Sequence, residues 1–84
     1  MNQSILFSDE VIWQEDAIEF HAQHSGMLIR CYIRLESLQA FSSQTIESKC
    51  EALDIFEIHR FDIEDKAEAL IEDESFCADG SITL

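Results

Sequence analysis

The stretch AIEFHAQHSGMLIRCYIR, Ala17 to Arg34, constrains this chain more than any other. Apolar and polar residues alternate on both sides of Ser25-Gly26, and a two-residue turn there makes the halves antiparallel partners. The turn pairs His24 with Met27 and, further down, Phe20 with Cys31. Ile18, Phe20 and Ala22 then share a face with Ile33, Cys31 and Ile29. Glu19, His21 and Gln23 stand on the opposite face with Tyr32, Arg30 and Leu28. Strand side chains alternate with period two, so a slip of one residue would mix the faces. The pattern predicts a sheet that is apolar on one side and mostly polar on the other.

Before the hairpin, SILF and VIW read as one bent strand or two short ones, with QEDA turning into Ala17. At the other end SITL, following Asp79-Gly80, is a candidate last strand. LESLQAF places Leu35, Leu38 and Phe41 at helical spacing, and Arg34 is a poor cap for that helix. From Ile46 onward the apolar positions are Ile46, Cys50, Leu53, Phe56, Ile63, Ala67, Leu70 and Ile71, spaced by threes and fours if Arg60 fills the gap. Two readings follow. A single helix from Ile46 to Glu74 would be roughly 42 Å long and must bend near Arg60 to fit. Alternatively the chain breaks at Phe61-Asp62, with Asp62 capping a second helix and Asp65 at its third position. The unbroken phase favours the single bent helix.

The expected fold is α+β: a three- to four-stranded antiparallel sheet with helices from the second half packed on one face. Residues 1–84 form a single domain, since a chain this short cannot divide into two cores. Its predicted core is Trp13, Ile18, Phe20, Ile29, Cys31, Ile33, Leu38, Leu53, Phe56, Ile63, Leu70 and Ile71.

Composition excludes several functions. With five basic and eighteen acidic residues, the net charge of −13 opposes direct binding to nucleic acid or to an anionic membrane surface. No apolar run approaches the roughly 20 residues that cross a bilayer. The start, MNQSILFSDE, lacks the basic and apolar regions of a signal peptide. Three scattered cysteines do not make a disulfide framework, which points to the reducing cytoplasm.

Metal and catalytic patterns are also missing. An EF-hand loop starting at Asp62 would put Lys66 in a ligand position and Ala67 where the loop needs glycine. His21 and His24 are three apart on a strand and point to opposite faces, so they cannot share a zinc ion. Two glycines cannot furnish a P-loop, a dinucleotide fingerprint or a nucleophile elbow. Cys31 and Cys50 fall on predicted core stripes as inert small hydrophobes, and Cys77 lies among acids that disfavour its thiolate. No enzyme and no cofactor is expected.

The segment HRFDIEDKAEALIEDESF, His59 to Phe76, sets seven carboxylates against one lysine. They fall off the stripe of Ile63, Ala67, Leu70 and Ile71, as the wet side of an amphipathic helix does. A small recognition surface could lie on the outer sheet face, where Arg30 sits opposite His21 with Glu19 diagonal to it and Tyr32 shares the face.

The runs ILFSDEVIW, HSGMLIRCYI, FEIHRFDIEDKAEALI and DGSITL, spanning nearly the whole chain, resemble a family of small bacterial proteins known as domain of unknown function 1488. Gln14, where the family pattern suggests an acid, and Arg34, where a capping serine is typical, depart from it locally. The resemblance implies a bacterial cytoplasmic protein and transfers no catalytic residues. No activity is assignable from the sequence. The expectation is a small acidic, non-enzymatic interaction or accessory module, a monomer or small homo-oligomer, that meets a basic or apolar protein partner. The alternatives are a nucleic-acid mimic that occupies a DNA-binding protein, and a small-ligand binder on the outer sheet face.

Overall fold

The structure, a computed structural model, describes residues 5–84. Alternation carries Ile5–Gln14 (β1), Ala17–His24 (β2) and Met27–Arg34 (β3) into an antiparallel meander. Ser25 and Gly26 both have positive φ, 54° and 78°, which matches the right-handed twist of the strands they join. The register is the predicted one, with His24 opposite Met27 and Phe20 opposite Cys31. The two apolar runs before the hairpin are one strand, whose register shifts at a bulge between Phe7 and Val11.

Leu35–Ser42 (α1) follows β3 directly, with Arg34 at its N-cap making no side-chain capping bond. The Asp16 carbonyl accepts the Leu35 N–H at 2.7 Å instead, so tertiary placement starts this helix. Lys49–Ile58 (α2) is opened by Ser48, whose hydroxyl accepts the Glu51 N–H at 3.2 Å. The Glu51 carboxylate in turn accepts from Ser48 and from the Glu47 N–H, a variant of the capping box that the run SKCE encodes. Arg60–Glu72 (α3) and the two-residue Ile82–Thr83 (β4) complete the chain.

The sheet order is β1-β2-β3-β4, and β4 lies parallel to β3, pairing Cys31 with Ile82 and Tyr32 with Thr83. The fold is therefore α+β as expected, but the sheet is mixed and only mostly antiparallel. Three helices intervene between β3 and β4, and a connection of that length allows a parallel return.

The long apolar phase does not form one helix. It breaks at His59, one residue before the expected bend, where φ is −103° and ψ is 14°. The His59 N–H still reaches the Ile55 carbonyl, and the Ile63 N–H reaches the His59 carbonyl, so the ladder bends without parting. A straight helix of roughly 42 Å would exceed the molecule's 36 Å longest dimension. Asp62 caps nothing and lies exposed in the first turn of α3. Asp62→Ala should therefore cost less than about 1 kcal/mol, its favourable placement at a helix N-terminus. Urea unfolding beside Asp65→Ala checks this.

Phase also explains one misplaced residue. Because α2 begins at Lys49, Ile46 is not on it and packs from the preceding loop, its N–H held by the Gln39 side chain at 2.8 Å. The buried face of α2 is Ala52, Ile55 and Phe56, and Cys50, predicted to be buried, is exposed. Of the predicted core, Trp13, Leu53 and Leu70 are only partly buried against it, and the other nine are buried. Ile5, Ala22, Ile46, Ala52, Ile55, Ala67 and Ile82 join them.

Candidate functional site

On the outer sheet face the organising residue is Glu19. It is only 6% exposed although its face carries no helix. Gln14 Nε2 donates to Glu19 Oε1 at 2.8 Å, and His21 Nε2 donates to Oε2 at 2.6 Å. Arg30 Nε stands 4.0 Å from the same oxygen. Glu10, beside the β1 bulge, places a carboxylate oxygen 3.8 Å from His21 Nδ1. Tyr32, half-buried, is opposite Glu19 in the register, and Arg30 is opposite His21. The structure thus sets His21, Arg30 and Tyr32 on one face, around an acid that the sequence placed only at the cluster's margin. The signal for Glu19 is its position mid-way along a strand with neighbours on both sides, where even outward side chains are covered.

The hydrogen bond from His21, joined by that from Gln14, holds the Glu19 carboxyl below its ordinary value of 4.5, against the opposing pull of burial. An ionised carboxylate only accepts, so His21 Nε2 carries the proton between them. A depressed folded pKa means this contribution is complete above the unfolded value and fades as pH falls through the folded one. Glu19→Gln should accordingly destabilise the domain clearly at neutral pH, and less at a pH below the carboxyl's ordinary value of 4.5. Urea midpoints of both proteins at the two pH values provide the check. Among the described residues no buried side-chain nitrogen or oxygen lacks a hydrogen-bond partner. The hollow beside it is about 360 Å³ and is bordered by Leu6, Glu10, His21 and Leu28.

A larger groove lies at the hairpin tip. The end of α3 sets it up: Glu74 has a positive φ of 58°, and the Ser75 N–H returns to the Leu70 carbonyl at 2.9 Å, which turns the chain off the helix. The following loop is closed by hydrogen bonds from the Cys77 N–H to the Ser81 carbonyl and from the Gly80 N–H to the Cys77 carbonyl. That loop faces the start of β3 across a space of about 790 Å³. Met27 and Phe76, exposed by 69% and 41%, present apolar surface there, and Leu28 also borders the space. Glu72 and Glu74 are the charged residues of its lining, and no lysine or arginine is among them.

The thiols are separated by burial. Cys31 is enclosed, and desolvation pushes its pKa up to about 12, whereas Cys50 and Cys77 are exposed. Titration of the folded protein with a thiol reagent should modify two cysteines, and the third only after denaturation. Among the described residues no group of three or more His, Cys, Asp or Glu side chains is arranged to hold a metal ion. No described helix is long and apolar enough to cross a membrane. Carboxylates occur on β1, in the β1–β2 turn, on all three helices and in the C-terminal loop. That distribution gives no support to a phosphate-like strip, and the paired outer face gives none to a ligand pocket.

Fold and surface together define a small acidic α+β domain with an internally paired polar sheet face and an acid-rimmed apolar groove. The chain belongs to the family described as protein of unknown function (DUF1488), whose profile it matches over residues 5–84. The family identified from the sequence is thereby borne out. The chain is 40% identical over 78 residues to the uncharacterized protein YrdB of Escherichia coli strain K12, and 38% identical over 78 residues to that of Shigella flexneri. Each match covers 89% of this chain and 88% of the relative. The crystal structure of a DUF1488 protein of unknown function from Shewanella loihica is 44% identical and superimposes with a TM-score of 0.92, covering 100% of this chain and 94% of the other. No activity is assignable from these relatives.

Proposed function

We propose that this domain is a cytoplasmic, non-enzymatic interaction module that docks a basic, partly apolar segment of a partner protein in the groove at the hairpin tip. The observation that carries this reading is the groove's make-up: Met27 and Phe76 exposed together, with Glu72 and Glu74 as their charged neighbours. Exposed apolar surface rimmed by charge is where binding energy is available on a small domain. The net charge of −13 selects against acidic partners and speeds the approach of basic ones. Free thiols at the exposed Cys50 and Cys77 suit a reducing compartment.

Affinity capture at low and high salt, with wild type and a Met27→Ala/Phe76→Ala variant as baits, tests the proposal. A partner held by wild type should be lost as the screening length shortens and lost by the variant at either salt. Partners retained equally by the variant would place the interaction elsewhere. Recovery of no specific partner would overturn the reading.

A further inference from the structure

β3 runs from Met27 to Arg34, yet among the described residues only Cys31 and Tyr32 have a strand partner on the side away from β2. β4 stops there because the loop ahead of it turns aside at Cys77–Gly80 to close on itself. The first half of β3 is left as an open sheet edge. In the antiparallel pairing with β2, successive residues alternate between bonding their partner and pointing their N–H and C=O outward. The Tyr32 carbonyl points outward, since it accepts the Leu84 N–H at 2.7 Å. Arg30 and Leu28, two and four residues earlier, share its orientation. The backbone of Leu28 therefore faces the groove, and the side chains of Met27 and Ile29 line it.

From this juxtaposition of open edge and acid-rimmed groove, we propose that the groove recognises its partner by strand addition. An extended segment pairs with β3 from Met27 to Arg30, continuing the sheet where β4 ends. The inference rests on the groove being the docking site and names the conformation and chemistry of what docks. The occupant is an extended peptide with alternating side chains, apolar residues turned toward Ile29, Ile71 and Phe76, and lysine or arginine near Glu72 and Glu74. A second copy of this chain fits poorly, because it would bring another net charge of −13 to an acidic rim. Edge strands in native proteins are ordinarily shortened, bulged or covered. β1, at the other edge, is bulged and clasped by Arg60, whereas the Met27–Arg30 edge borders an open groove.

The probe is a blocked hexapeptide alternating lysine and valine, compared with the same peptide N-methylated on alternate residues in each of the two phases. Binding is followed by amide shifts and by hydrogen exchange in the full chain. The unmodified peptide should shift Met27, Leu28 and Phe76 and slow exchange of the Leu28 amide. Methylation in one phase, which removes the donors that pair with β3, should weaken binding by about tenfold or more, and methylation in the other phase should be nearly silent. Equal binding of both methylated peptides at the groove would overturn strand addition and leave the docking site standing. Shifts elsewhere, or none, would overturn strand addition together with the docking site beneath it. Dimerisation of the chain that protects the Leu28 amide without peptide would instead assign the edge to a second copy and overturn the basic occupant.

Discussion

Phe56→Ala should remove about 3–5 kcal/mol of stability, the range for truncating a fully buried aromatic side chain. Phe56 is completely enclosed and joins α2 to the sheet. Its ring meets that of Phe20 at 5.3 Å between centroids, and Phe20 meets Phe7 at 6.2 Å, so a line of aromatics runs from the helix layer through β2 to β1. The Arg60 guanidinium lies over the Phe56 ring, 5.6 Å from its centroid. Total stability for a chain of this length is about 4–13 kcal/mol, so the variant stands at the edge of folding. Phe20→Ala should cost a similar amount, and the double variant less than the sum, because the first truncation already removes the contact with the second ring. Denaturant unfolding of the three variants measures all of these. A loss below about 1 kcal/mol at both single sites would refute the aromatic line as the centre of the core.

Arg60→Ala should cost about 2–3 kcal/mol, more than an ordinary surface ion pair is worth. The side chain is 15% exposed, and its three donor groups go to three different elements. Nε donates to Glu64 at 3.0 Å in α3, Nη1 donates to Glu57 at 2.9 Å in α2, and Nη2 donates to the Ser8 carbonyl at 2.5 Å in β1. One guanidinium thus spans the bend at His59 and ties it to the bulge of the edge strand. Its loss leaves Glu57 and Glu64 uncompensated in a chain already at −13. Arg60→Lys should recover the charge but only part of the stability, since an ammonium cannot reach along three directions from a rigid plane. Full recovery by lysine would reduce the clasp to simple charge balance. Faster hydrogen exchange around Ser8 in Arg60→Lys would show that β1 has been released.

Arg60 marks where local pattern stops informing. Its two carboxylate partners are within four residues at helical spacing, which brings side chains together. The Ser8 carbonyl is 52 positions away, and nothing local names it. Glu19 shows the same boundary: alternation put it on the polar face, but its burial follows from β1 and β3 closing on both sides. The groove residues Leu28, Met27 and Phe76 were legible only as isolated apolar positions, because Phe76 reaches the hairpin tip through the turn that ends α3.

By itself the sequence determined the hairpin register, the two faces of the sheet and the burial of Phe20 and of Phe56. All of these follow from period-two and three-four spacing within one segment, where neighbours along the chain are neighbours in space. Only the tertiary structure decided the parallel return of β4, the bend at His59, the burial of Glu19 and the open edge of β3. Each depends on which distant segments meet, and on how a helical run too long for the molecule is made to fit over a four-stranded sheet.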